Sequence, residues 1–156
     1  MVAPAEASPL VIRRRFAAAP GIVFDLWTRP ELIAKWLRPR NDFTHQFIEV
    51  DFTVGGRYRI AFESPEGKVD VVAGEYLEIV PAERIVFSWM WEPPNENAGI
   101  DSQVTVEFRE VDGGTELVLT HGLTDPEMKE HHKMGWSGAL DQIPELLSEL
   151  EAGEAS

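Results

Sequence analysis

The chain has 156 residues, a formal net charge of −13 and no cysteine. The missing cysteines exclude a disulfide framework, a thiolate zinc site and a cysteine nucleophile. The acidity argues against a nucleic-acid backbone or an anionic membrane surface as partner. With 44% hydrophobic and 26% charged residues the composition is that of one globular domain. No apolar run approaches the roughly 18 residues of a membrane span.

Residues 1–8 and 151–156 read as flexible tails around a single domain at 9–150. The opening MVAPAEASPL has neither a basic nor an apolar region of the signal-peptide kind, so the cytoplasm is the expected location. LVIRRRF, Leu10 to Phe16, reads as a first strand. Pro20 then stands at a helix N1-like position, with Ile22, Val23, Leu26 and Trp27 at helical spacing. Pro30 restarts a second short helix, Glu31 to Leu37, which Pro39 cannot continue.

From His45 the hydrophobic period changes to two. Strands are expected at 45–51, 56–63, 69–80, 84–91, 101–110 and 115–121. Turn signals separate them at Gly55-Gly56, Ser64-Pro65-Glu66-Gly67, Pro81-Ala82-Glu83 and Asp112-Gly113-Gly114. Gly74 marks a possible bulge in the longest of these strands. Asp125 is a good N-cap with Pro126 at N1, and a final helix runs to about Leu150. Its apolar stripe is Trp136, Leu140, Ile143, Leu147 and Leu150, and Pro144 should bend it. Short turns between consecutive strands imply an antiparallel sheet. Its apolar face and the helix stripe can each be buried only against the other. The expected fold is therefore α+β, a seven-stranded antiparallel sheet wrapped around a long C-terminal helix, with two short helices after the first strand.

Inward alternation gathers Tyr58, Phe62, Phe87, Trp89, Trp91 and Phe108 from the strands, opposite Trp136 and Leu140 on the helix. Two readings of this aromatic set stand side by side. It fills a core, or it lines a cavity for an apolar or aromatic small molecule. His121, on the same face, is either a core-edge histidine bonded to backbone or a polar handle in that cavity. His131 with Glu127 forms an i, i+4 pair, but no third ligand stands at useful spacing, so no metal or other cofactor is expected. The strand carboxylates Asp51, Glu63, Glu75, Glu78 and Glu107 read as a solvated face. No phosphate-binding or nucleophile-elbow motif occurs.

Several stretches, in order, carry a resemblance. They are PGIVFDLW from Pro20, Pro30-Glu31-Leu32 with Trp36, VGGRYR from Val54 and GEYLEI from Gly74. PAERIVFSW from Pro81, Thr115-Glu116-Leu117 with Thr120-His121, and GWSGALDQ from Gly135 complete the series. Together they resemble the START-like superfamily, the helix-grip or SRPBCC fold, and within it the homologues of the heat-shock protein 90 ATPase activator's C-terminal domain. That resemblance implies the fold derived above. It also implies a range of activities: chaperone activation, carriage of hydrophobic ligands and polyketide cyclisation. The leading expectation is non-catalytic binding of a small hydrophobic or aromatic molecule between sheet and helix, in a stress-linked or regulatory setting. A chaperone-activator-like interaction module is the second. A cyclase or dehydratase using His121 and Tyr58 as acid and base is the third. Edge strands allow a monomer or a homodimer.

Overall fold

Period-two alternation becomes strand wherever it is bounded by turn residues. The computed structural model describes residues 8–123 and 125–155, and the first expected tail lies almost wholly outside them. Strand β1 (Leu10–Phe16) is followed by α1 (Pro20–Asp25) and α2 (Pro30–Trp36). Then come β2 (Thr44–Val50), β3 (Arg57–Glu63), β4 (Val69–Val80), β5 (Arg84–Trp91), β6 (Ser102–Val111) and β7 (Gly114–His121). Helices α3 (Pro126–Leu140) and α4 (Ile143–Ala155) close the chain. The strands form one antiparallel sheet in the order β1-β7-β6-β5-β4-β3-β2. Sequential hairpins thus build a meander, and the N-terminal strand closes its far edge against β7. This is the expected helix-grip architecture.

Local chemistry explains the joints. Asp112 and Gly113 have φ of 50° and 81°, the left-handed pair a two-residue hairpin turn requires. The bulge in β4 falls at Leu77, not Gly74: Tyr76 pairs with Phe87 and Glu78 with Val86. Gly74 has another role. A Cβ there would collide with the Ser88 carbonyl and the Tyr58 ring. Its bareness lets Tyr58 lie across the sheet and donate to Ser88 O at 2.6 Å.

Both short helices begin on proline as expected, but α1 turns Phe24 inward and leaves Ile22 48% exposed. A six-residue helix has room for little more than one buried turn. Trp36 Nε1 donates to Leu26 O at 2.8 Å, which ties α2 to the end of α1.

Asp125 caps α3, its carboxylate accepting from Met128 N at 2.9 Å. The bend expected at Pro144 is an interruption at Asp141–Gln142. Proline has no N–H to return to the preceding turn. The break is fastened on two sides. Gln142 Nε2 donates to Arg38 O at 2.7 Å, and Arg38 Nε donates to Gln142 Oε1 at 2.9 Å. Arg14 Nε reaches Asp141 Oδ1 at 3.1 Å from β1. Beyond the break Ile143 and Leu146 are buried, while Leu147 and Leu150 are only half-buried. The helix also continues through Ala155, past the expected start of the second tail at 151. No helix among the described residues is long and apolar enough to cross a membrane.

Candidate functional site: an aromatic cleft under the C-terminal helix

The sheet and α3 do not close completely. A cleft of about 290 Å³ lies between them, bounded by the segment after α2 and by the loop after β5. Phe62, Trp89, Trp91, His132 and Trp136 form its interior, and Arg38, Lys68, Asp70, Glu96, Asn97 and His131 stand around its mouth. Gly135 and Ala139 are the small residues on the α3 wall. Behind it lies a void of about 30 Å³, walled by Trp27, Trp36, Tyr58, Tyr76, Phe87 and neighbours. Leu37, Trp89 and Trp136 belong to both walls and separate the two spaces.

The rim is held by polar contacts. Asn95 Nδ2 donates to Asp70 Oδ1 at 3.0 Å, and Asn95 Oδ1 accepts from the Asn97 amide at 2.8 Å. This pins the proline-rich loop over the cleft. Arg59 donates twice to Glu92 at 2.8 Å, and the hydrogen bond from that guanidinium holds the Glu92 carboxyl below its ordinary range.

Two buried histidines stiffen the back of the site. Trp136 Nε1 donates to His121 Nδ1 at 3.1 Å, so that nitrogen carries no proton. The proton of the neutral ring is then on Nε2, 2.8 Å from Ser102 Oγ, which in turn donates to Trp89 O at 3.0 Å. His132 is the mirror case. Its Nδ1 sits 2.8 Å from the Met128 carbonyl and must donate, while Nε2 accepts from Trp91 Nε1 at 3.0 Å. Protonating either ring would set two donors against each other. Burial lowers His121 to about 3, with His132 adding a smaller push. Burial likewise lowers His132, against a partly opposing bond to Met128. The two rings meet edge-on with centroids 5.1 Å apart.

The structure distributes the expected site residues over three places. Phe62 and Trp91 line the cleft, Tyr58 and Phe87 the inner void, and Trp89 and Trp136 both. Phe108, His121 and Leu140 line neither space. Phe108 packs edge-on against Phe24 at 5.6 Å, and His121 and Leu140 are 0% exposed. They are core, because α1 and Trp136 cover them. His121 and Tyr58 therefore do not meet in the cleft as an acid–base pair. The Tyr58 hydroxyl is spent on Ser88, and burial raises its pKa further.

His132 was missed, although it lies at i−4 from Trp136 on the same helical face. The alternative pairing of His131 with Glu127 leaves both side chains exposed. Trp27, Trp36 and Leu37 carried no signal of their own, since their place in the wall depends on how α1 and α2 dock.

Comparison with known proteins bears on the fold and the family. The chain is 26% identical over 128 residues to the human "Activator of 90 kDa heat shock protein ATPase homolog 1", covering 81% of this chain and 33% of that protein. The mouse counterpart gives 25% over the same length. The chain thus spans about a third of the length of these relatives. Among solved structures, a protein from Chromobacterium violaceum superposes with a TM-score of 0.80 at 28% identity, covering 89% of this chain and 96% of that one. An AHSA1 protein from Silicibacter pomeroyi gives 0.80 at 26%, with 90% and 98% covered. A family model described as "Activator of Hsp90 ATPase homolog 1-like protein" matches residues 17–148, most of the chain, and the chain belongs to that family.

Proposed function

We propose that this domain binds a small hydrophobic or aromatic molecule in the cleft between the sheet and α3, without catalysing a reaction on it. One observation carries the reading: aromatic side chains surround an opening of about 290 Å³ instead of filling it. Ligand pockets begin at about 300 Å³, so the molecule is small, of one to three rings. Apolar burial supplies the affinity, and the polar rim orients what enters. Neither buried histidine is free to move a proton, since each holds an indole N–H and a second hydrogen-bond partner.

The test is a titration with the neutral dye N-phenyl-1-naphthylamine. Saturable one-to-one enhancement, competed away by naphthalene, is the expected result. Enhancement that rises without saturation, or that naphthalene leaves untouched, removes the reading.

Family membership favours a second reading, a chaperone-activator-like module acting on a 90 kDa heat-shock ATPase, in a stress-linked setting. It predicts that the domain at high micromolar concentration stimulates such an ATPase. Absence of both complex and stimulation there disposes of it.

A further inference from the structure

The five tryptophans divide into two groups. Trp36, Trp91 and Trp136 each give their indole N–H to an acceptor, at 2.8, 3.0 and 3.1 Å. Trp27 and Trp89 have none among the described residues, although only 6% and 5% of each residue is exposed. A buried donor without an acceptor is costly, and native interiors contain few. Both of these side chains wall the inner void, and Trp89 also lines the cleft.

We propose that the cleft takes a ligand whose leading end carries a neutral carbonyl oxygen, and that this oxygen accepts from the Trp89 indole N–H, with Trp27 as the second donor. The inference rests on the binding reading above and names the chemistry of the molecule bound. The void's wall is aromatic and aliphatic and, among the described residues, contains no charged one. A carboxylate would lose its hydration there with no cation to replace it. An alcohol or an amine would bring hydrogens of its own, and the acceptors met by Trp36, Tyr58 and Trp136 on that wall are already taken. A ketone, quinone or lactone oxygen is acceptor-only and matches two unmatched donors. Leu37, Trp89 and Trp136 line both the cleft and the void. A ring seated against Trp89 in the cleft therefore lies beside the indole whose N–H has no acceptor among the described residues.

The experiment compares two molecules of the same shape, 2-acetylnaphthalene and 2-isopropenylnaphthalene, by calorimetric titration. The ketone is expected to bind tighter by at least about fivefold, the range of one net hydrogen bond, although water solvates it better. Trp89→Phe keeps the ring face and deletes the donor. It should abolish the ketone's advantage over the hydrocarbon, with both affinities measured on the variant, and a cooperative melt shows that the variant is folded. Trp27→Phe should reduce the preference in part. In the wild-type protein the Trp89 indole N–H resonance, assigned by through-bond correlation, should move downfield with the ketone and not with the hydrocarbon. Equal affinities, a preference that survives Trp89→Phe, or an unmoved Trp89 resonance overturns the inference and leaves the binding reading standing. Failure of both molecules to bind removes both.

Discussion

Beneath α1 and α2, Trp27 meets Trp36 edge-on at 4.5 Å and Phe108 at 6.4 Å, and the space left over is about 30 Å³. Beneath α3, an equally aromatic set of Trp89, Trp91, His132 and Trp136 leaves about 290 Å³. The sheet is continuous under both ends, so the difference lies in what covers it. Two short helices split by Pro30 deliver large side chains from two directions, and Val23, Leu26 and Trp36 are 0% exposed. A single helix covers the other end, and two of its cleft positions, Gly135 and Ala139, are small. Gly135 and Gly138 make the contrast sharper. A Cβ on Gly138 would collide with the Pro39 carbonyl, whereas one on Gly135 meets no described residue within 4 Å. One glycine allows close packing, and the other borders open space.

The largest effect should come from the packed end. Trp36→Ala removes a fully buried ring and its bond to Leu26 O, and should cost about 3–5 kcal/mol. Trp91→Ala, at the half-buried cleft wall, should cost less than half as much. Urea denaturation of both variants checks this; equal losses would mean that the two ends are packed alike.

Acid should strain the cleft end first. The folded pKa of His121 lies near 3, below its unfolded value. The unfolded chain therefore binds more protons between roughly pH 3 and 6.5, and stability rises with pH across that window. It is whole above pH 6.5 and is lost as pH falls toward 3. At pH 5 the deficit from His121 alone is about 2 kcal/mol, and the downward shift of His132 adds in the same direction. Denaturation midpoints at pH 7.5 and 5.0 measure it. His121→Gln should flatten the difference, and an unchanged pH dependence would contradict the neutral-histidine account.

A smaller loss, about 1 kcal/mol, is expected for Asp125→Ala, which deletes the cap on Met128 N. It should lower the melting temperature and weaken dye binding together, since α3 carries one wall of the cleft. A lowered melting temperature with unaltered binding would uncouple the helix from the site.

The contrast between the ends also explains what could be read from sequence. Alternation placed Tyr58, Phe62, Phe87 and Trp89 on the buried face correctly, because a strand has only two faces. It could not separate Phe108 from Trp91. Both point inward, and only the docking of α1 decides that Phe24 and Trp27 cover one of them. The N-cap at Asp125 and the break near Pro144 were legible because each follows from the chemistry of one residue. The bulge at Leu77 was not, because Gly74 gave a stronger local signal for a different purpose. Helical spacing contained His132, but a histidine reads as polar until its two hydrogen-bond partners are known.

The central claim is that the space under Gly135 is an open binding site, and Gly135→Leu tests it most directly. The substitution adds a side chain whose Cβ meets no described atom within 4 Å and replaces a mid-helix glycine, worth about 0.5–1 kcal/mol of added stability. Thermal melting and N-phenyl-1-naphthylamine titration of the same preparation should show a higher melting temperature together with lost saturable binding. A lower melting temperature, or dye binding as tight as in the wild type, would contradict the account.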